Sequence, residues 1–187
     1  MKNIKSYLIT DTNYFSDNKE IFKEKLIAVL KNHKIDFACF RDKSSKNIEE
    51  LAKIFLQICK EFKIENILIN SNIYLATKLG FDGVHLNSQQ FDKIENAKKS
   101  NLITIISCHN LEELEKAMNK NIDFVTYSPI FDTPNKGQSK GVDKLNEVIE
   151  KFPNLKIFAL GGIIQNEQIK EIEKTKAYGF ASIRYFI

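Results

Sequence analysis

The chain has 187 residues, 43% of them hydrophobic, which suffices for one sizeable core but not for two independent ones, so a single domain over 1–187 is expected. Its 28 Lys and Arg against 24 Asp and Glu leave a net charge of +4 with both signs interspersed, and without a basic stripe nucleic acid is not an expected partner. Cys39, Cys59 and Cys108 are widely spaced and form no CxxC pair, which argues against a disulfide framework or a structural zinc and for a reducing compartment. The stretch Met1–Asp11 lacks a signal-peptide core, and no later run approaches the roughly 20 apolar residues of a membrane span, so a soluble, cytoplasmic protein with no membrane partner is expected.

A β-rich apolar run at Ser6–Asp11 comes first, followed by an amphipathic, charge-laced stretch at Asn18–Asn32. The alternation continues with a strand at Phe37–Asp42, a helix at Lys46–Phe62, a strand at Asn66–Asn70 and a short helix at Ile73–Leu79 that Gly80 stops. Then come a strand at Gly83–Asn87, a helix at Gln89–Lys99, a strand at Leu102–Cys108 and a helix at Leu111–Asn119. The last pairs are Phe124–Pro129 with Val142–Phe152, and Lys156–Gly162 with Asn166–Lys174, before a final strand at Gly179–Arg184.

These strands read as nearly continuous apolar runs, as expected where a parallel sheet is covered on both faces. Eight of them predict an α/β fold closed as a (β/α)8 TIM barrel. The alternative, an open doubly wound sheet, usually carries a Gly-rich first turn where this chain has Asp11-Thr12-Asn13. With Ile187 only a few residues past the eighth strand, the final outer helix is expected to be missing. The bare flank would then expose apolar surface that a homodimer could cover.

In such a barrel the chemistry sits at the C-terminal strand ends, which selects Asp11, Arg41, Lys43, Asn70, His85, Asn87, Ser107, His109, Thr133 to Lys136, Gly161, Gly162 and Ser182, Ile183 and Arg184. Arg41 and Lys43 offer a fork and a point charge to an anion. Gly161-Gly162 lets backbone N–H groups approach a phosphate near the next helix's N-terminus, and barrels often bind phosphate after strands seven and eight. The polar loop from Pro129 to Gly141 is long enough to be functional, with Thr133 and Lys136 placed to close on an anion. His109 is the expected proton carrier. His85 reads as an inward-facing core residue and His33 as a surface or helix-capping one, and no metal-ligand spacing surrounds any of the three.

Taken in order, Tyr7-Leu8-Ile9-Thr10-Asp11, Arg41-Asp42-Lys43, Ile69-Asn70, Ala76 through Gly83-Val84-His85-Leu86, Ser107-Cys108-His109, Pro129-Ile130-Phe131 with Thr133 and Lys136, and Gly161-Gly162-Ile163 resemble the thiamine phosphate synthase/TenI family. The resemblance implies a barrel of thiamine biosynthesis. Synthases of that family couple a pyrimidine pyrophosphate to a thiazole phosphate, and TenI-type members tautomerise a thiazole carboxylate phosphate. It further implies that Thr133, Gly162 and the last strand serve the thiazole phosphate, whereas Arg41, Lys43, Asn70, Ser107 and Lys136 match the pyrimidine-pyrophosphate side.

Against the synthase pattern, Cys39 stands in place of a Gln, and Ser71 and Gln90 stand in place of the two Asp residues that hold Mg²⁺ there. Asn135 replaces a second Thr, and Arg184 replaces a small or hydroxyl residue, where it either grips phosphate or fills the pocket. A pyrophosphate leaving group needs a cation to neutralise its developing charge, whereas tautomerisation needs a phosphate anchor and a proton carrier. The sequence therefore points to a TenI-like isomerase acting on a phosphorylated thiazole through His109 with no cofactor. A thiamine phosphate synthase using Mg²⁺, with Asp11, Asp42 or the substrate itself holding the ion, and a catalytically decayed thiazole-phosphate binder stand as alternatives.

Overall fold

The computed structural model describes residues 4–134 and 136–187. The eight strands are β1 (Lys5–Ile9), β2 (Phe37–Phe40), β3 (Asn66–Asn70), β4 (Gly83–Leu86), β5 (Ile103–Cys108), β6 (Phe124–Tyr127), β7 (Ile157–Leu160) and β8 (Gly179–Ser182). All pair in parallel in sequence order, and β8 returns to β1 to close the barrel. The helices are α1 (Thr12–Phe15), α2 (Lys19–Asn32), α3 (Ile48–Glu61), α4 (Ile73–Leu79), α5 (Ile94–Lys99), α6 (Leu111–Asn119), α7 (Gly141–Lys151) and α8 (Asn166–Glu173). The expected (β/α)8 barrel is therefore the observed fold. Among the described residues, no helix is long and apolar enough to cross a membrane.

Period-two alternation along each strand sorts side chains between two cores. Leu8, Phe40, Ile67, Val84, Ile106 and Val125 face outward to the helices, while Tyr7, Phe37, Leu68, Ile105, Phe124 and Phe158 fill the barrel. The lower interior is aromatic: the Phe37 ring centroid lies 5.2 Å from Phe124 and 5.1 Å from Phe158, and Tyr178 lies 5.2 Å from each of those two. Higher up, His85, Thr126 and Ser107 replace the aromatics, so the interior turns polar toward the strand ends.

A repeat ties the barrel's floor. Asp36, Asp82 and Asp123 each precede an even-numbered strand, and each accepts a backbone N–H from the odd strand before it, at Ser6 (2.9 Å), Ile67 (2.8 Å) and Thr104 (2.8 Å). Before β8 the same position is Tyr178, whose ring closes the barrel floor instead.

The sequence expectations differ from the structure at several edges. The short α1 was not foreseen; Asp11 caps it by accepting the Asn13 amide at 3.1 Å. The segment expected as one helix from Gln89 begins as a 3-10 turn at Phe91–Lys93. The seventh strand stops at Leu160, because Gly161 and Gly162 turn to positive φ.

The expectation of a bare apolar flank is corrected. No α-helix follows β8, but a 3-10 turn at Arg184–Phe186 folds back over the seam between β8 and β1. Phe186 is 3% exposed, stacked on Phe180 with centroids 5.9 Å apart and edge-on to His33 at 5.4 Å. The chain thus covers this flank itself, and the reason offered for a homodimer falls away.

Candidate active site

The C-terminal strand ends open into one cavity of about 1710 Å³. Arg41, Lys43, Asn70, Ser107, His109, Thr133, Lys136, Gly161, Gly162, Ser182, Ile183 and Arg184 all line it. The structure thus brings together every site residue expected from the sequence, but it gives several of them particular partners. Asn135 lies outside the described residues.

On the β1–β2 side, the Thr10 hydroxyl accepts the Arg41 amide at 2.8 Å and donates to the Arg41 carbonyl at 3.2 Å, fixing where that side chain leaves. The guanidinium pairs with Asp11 across the strand ends. Asp42 turns back on its own loop, accepting the Ser44 and Ser45 amides at 3.0 and 2.9 Å and the Ser45 hydroxyl at 2.5 Å. Burial opposes its charge, but these bonds outweigh that and hold its pKa below the usual carboxylate range. Asp11 and Asp42, the substitute metal ligands considered from sequence, are thereby committed to a guanidinium and a loop. The Lys43 pKa is lowered, first by the Arg41 charge, then by burial and by Lys136. Asp11 offsets part of this charge, and a net positive charge remains on this side.

The residues at the β3 and β4 strand ends are neutral, with the charged Asp92, Lys93, Glu95 and Lys99 lining the cavity beyond them. Ser71, in a left-handed conformation at φ 61°, has its hydroxyl oxygen 3.0 Å from the Asn70 amide nitrogen and 3.3 Å from that of Asn87. Gln90, 8% exposed, donates to the Ser71 carbonyl at 3.2 Å and accepts the Asn87 backbone N–H at 3.1 Å. Two side-chain amide nitrogens face the Ser71 hydroxyl, and no carboxylate belongs to this set. These residues do not fit a divalent metal ion.

At the β5–β6 exits, the His109 Nδ1 lies 3.2 Å from the Ser128 carbonyl oxygen and 3.1 Å from its hydroxyl. The carbonyl can only accept, which favours the neutral tautomer with the hydrogen on Nδ1 and the lone pair on Nε2; the Ser128 hydroxyl can take either role. The His109 backbone N–H donates to Glu113 at 2.6 Å, which holds the residue to the start of α6.

The β7–β8 side is built from backbone. Gly161 (φ 99°) and Gly162 (φ 71°) pack so closely on the β6–α7 loop that a Cβ on Gly162 would lie 2.5 Å from the Phe131 carbonyl carbon. Gln168 of α8 reaches back to this turn, donating to the Gly162 carbonyl at 2.7 Å and accepting the Ile164 and Gln165 amides at 2.7 and 3.0 Å. The Gly162 and Ile163 N–H groups make no hydrogen bond among the described residues, and they lie beside the N-terminus of α8. Free amides at a helix start suit an anionic oxygen. Gln168 was not foreseen; the Gln three residues after a candidate cap, Gln165, was the available signal.

Two expected phosphate ligands have other work. The Ser182 hydroxyl, 5% exposed, donates to the Ile163 carbonyl at 2.8 Å and accepts the Tyr185 amide at 3.2 Å, so it braces the glycine turn. The Thr133 hydroxyl donates to the Phe131 carbonyl at 3.0 Å, leaving its oxygen lone pairs as its remaining capacity. The Arg184 guanidinium has no carboxylate partner among the described residues and faces the same cavity.

A sequence model described as thiamine monophosphate synthase matches residues 6–186. The chain belongs to that family. A protein of Aquifex aeolicus, provisionally named thiamine-phosphate synthase 2, is 37% identical over 97% of this chain and 96% of its own length. A thiamine-phosphate synthase of Pelagibacter ubique is 32% identical over 83% of this chain and 73% of its own. Among solved structures, a thiamine phosphate pyrophosphorylase from Pyrococcus furiosus superposes with a TM-score of 0.82 at 26% identity, covering 96% of this chain and 85% of that one. The resemblance to this family is thus established, and the expected place in thiamine biosynthesis follows from it. The assignment to the TenI-like branch does not.

Proposed function

We propose that this family member binds a thiazole phosphate at the Gly162 turn and isomerises a thiazole carboxylate phosphate, with His109 carrying the proton. The observation behind this reading is the neutral Asn70–Ser71–Asn87–Gln90 network, in which Ser71 and Gln90 stand where the synthase pattern places metal-binding acids. Tautomerisation moves one proton between two ring positions and releases no pyrophosphate. The site's own groups supply what that needs: free amides and Arg184 for the phosphate, Arg41, Lys43 and Lys136 for a second anionic group, and the His109 Nε2 lone pair as the proton acceptor. Once protonated, the same nitrogen returns the proton to the new position, so the side chain ends as it began. Incubation with the unaromatised thiazole carboxylate phosphate tests this; no acceleration over buffer, or an unchanged rate in His109→Ala, contradicts it.

A second reading is supported by the names of the relatives, which speak more directly for it: a synthase joining a hydroxymethylpyrimidine pyrophosphate to thiazole phosphate. Arg41, Lys43 and Lys136 would then carry the pyrophosphate. Formation of thiamine phosphate from those two substrates would establish this reading, and its absence at any magnesium concentration would remove it.

A further inference from the structure

Tyr7, on β1, reaches across the barrel interior to β4: its hydroxyl lies 2.9 Å from His85 Nδ1. On the other side of the ring, His85 Nε2 lies 3.0 Å from the Ser107 hydroxyl of β5 and 3.4 Å from that of Thr126 on β6. Ser107 and Thr126 are register partners, with hydroxyls 3.4 Å apart. Tyr7 is fully buried, His85 is 4% exposed and Thr126 is fully buried, so water does not decide their hydrogen placement. Of these four, Ser107 and His85 line the open cavity, and Ser107 alone brings a hydroxyl to it.

The Tyr7 hydroxyl also has Cys39 beside it, so the reverse order, with Nδ1 donating to Tyr7 and Ser107 to Nε2, balances as well; relative acidity favours one of the two. A phenol is a stronger acid than an imidazole N–H, and an imidazole lone pair is a better acceptor than a phenol oxygen, so Tyr7 donates to Nδ1. The neutral ring then carries its hydrogen on Nε2 and donates it to Ser107. Thr126, facing the same oxygen, donates into the second Ser107 lone pair. With both lone pairs filled from inside the barrel, the Ser107 hydrogen can only point outward. Burial and the Arg41 charge drive the His85 pKa down to about 3, so the ring stays neutral throughout.

We infer that Tyr7 and His85 are positioning residues that make Ser107 an obligate hydrogen-bond donor to an anionic oxygen of the ligand. The inference holds for either reading above, because a thiazole carboxylate and a pyrophosphate both present such an oxygen beside Arg41 and Lys43. An uncharged relay starting at Tyr7 sets the polarity of a hydroxyl in the mouth.

Long-range proton–nitrogen spectra of the chain labelled with ¹⁵N-histidine test this without any assay of turnover. His33→Gln and His109→Gln assign the other two rings. We expect a bare Nδ1 and a protonated Nε2 for His85, unchanged in Ser107→Ala, and a mixture of both tautomers in Tyr7→Phe. A hydrogen on Nδ1 in the unaltered chain, or a Tyr7→Phe spectrum identical to it, overturns the inference. Calorimetry with inorganic pyrophosphate tests the consequence: Ser107→Ala and Tyr7→Phe each weaken binding about tenfold, roughly the worth of one hydrogen bond, and the double variant binds no worse than Ser107→Ala. Additive losses, or a chain that pyrophosphate does not bind, remove the claim that Ser107 faces an anion through Tyr7.

Discussion

The His109 Nδ1 faces the Ser128 carbonyl oxygen at 3.2 Å, and that one relationship favours Nε2 as the ring's basic atom. His109→Gln can still donate to Ser128 but offers no exchangeable lone pair of comparable basicity. Proton transfer on the thiazole substrate should fall by about 10²–10⁴-fold, the usual contribution of a positioned base, with little change in substrate affinity. Parallel measurement of rate and binding checks this; equal losses in both would assign His109 to binding.

The Gln168 carboxamide ties three backbone groups of the Gly162 turn, and the turn's free amides depend on that brace. Gln168→Leu should weaken thiazole phosphate binding roughly tenfold, near the worth of one hydrogen bond. Calorimetric titration of the phosphate decides it.

The Ser71 and Gln90 positions predict a gain as well as a deficit. In the double variant Ser71→Asp, Gln90→Asp, two carboxylates replace a hydroxyl and an amide at the β3–β4 mouth. Magnesium binding should then appear by calorimetry, while the unaltered chain shows none under the same conditions.

Asp36 links the barrel floor to pH. Burial raises its pKa, but the Lys5 ammonium and the Ser6 groups outweigh burial and hold it below the usual value. A depressed folded-state pKa means the contribution is complete above the ordinary carboxylate range and is lost as pH falls through the folded value. Denaturant unfolding against pH should therefore show the unaltered chain losing, on acidification, an advantage over Asp36→Asn that it holds at neutrality. At neutral pH that advantage should be about 1.5–3 kcal/mol, as for hydrogen bonds to a charged group.

Phe186 packs a single aromatic side chain against Phe180 and His33 over the β8–β1 seam. Phe186→Ala should cost about 3 kcal/mol or more and lower the Tm accordingly. A loss under half of that would mean the flank is held by Tyr185 instead.

The barrel was legible because its strands are continuous apolar runs whose spacing leaves room only for parallel crossovers, and the mouth residues followed from where those runs end. Partnerships were less legible. Tyr7 and His85 are 78 residues apart, and nothing local marks them as neighbours until the barrel closes. The hydrogen bond from Ser182 to the Ile163 carbonyl, 19 residues earlier, was hidden in the same way. The Asp36, Asp82 and Asp123 repeat was visible as an Asp between an apolar residue and each of β2, β4 and β6, but its meaning needs the parallel register. The short 3-10 turn over the last seam was missed because a few aromatic residues cover what was expected to require a helix.

The central claim is that neutral side chains at Ser71 and Gln90 leave this site to work on a phosphorylated thiazole without a divalent cation. The most direct measurement is the rate of thiazole carboxylate phosphate aromatisation by the purified chain, with a chelator and then with added magnesium. The account predicts the same accelerated rate in both. No acceleration in either, together with magnesium-dependent formation of thiamine phosphate from the two synthase substrates, would contradict it.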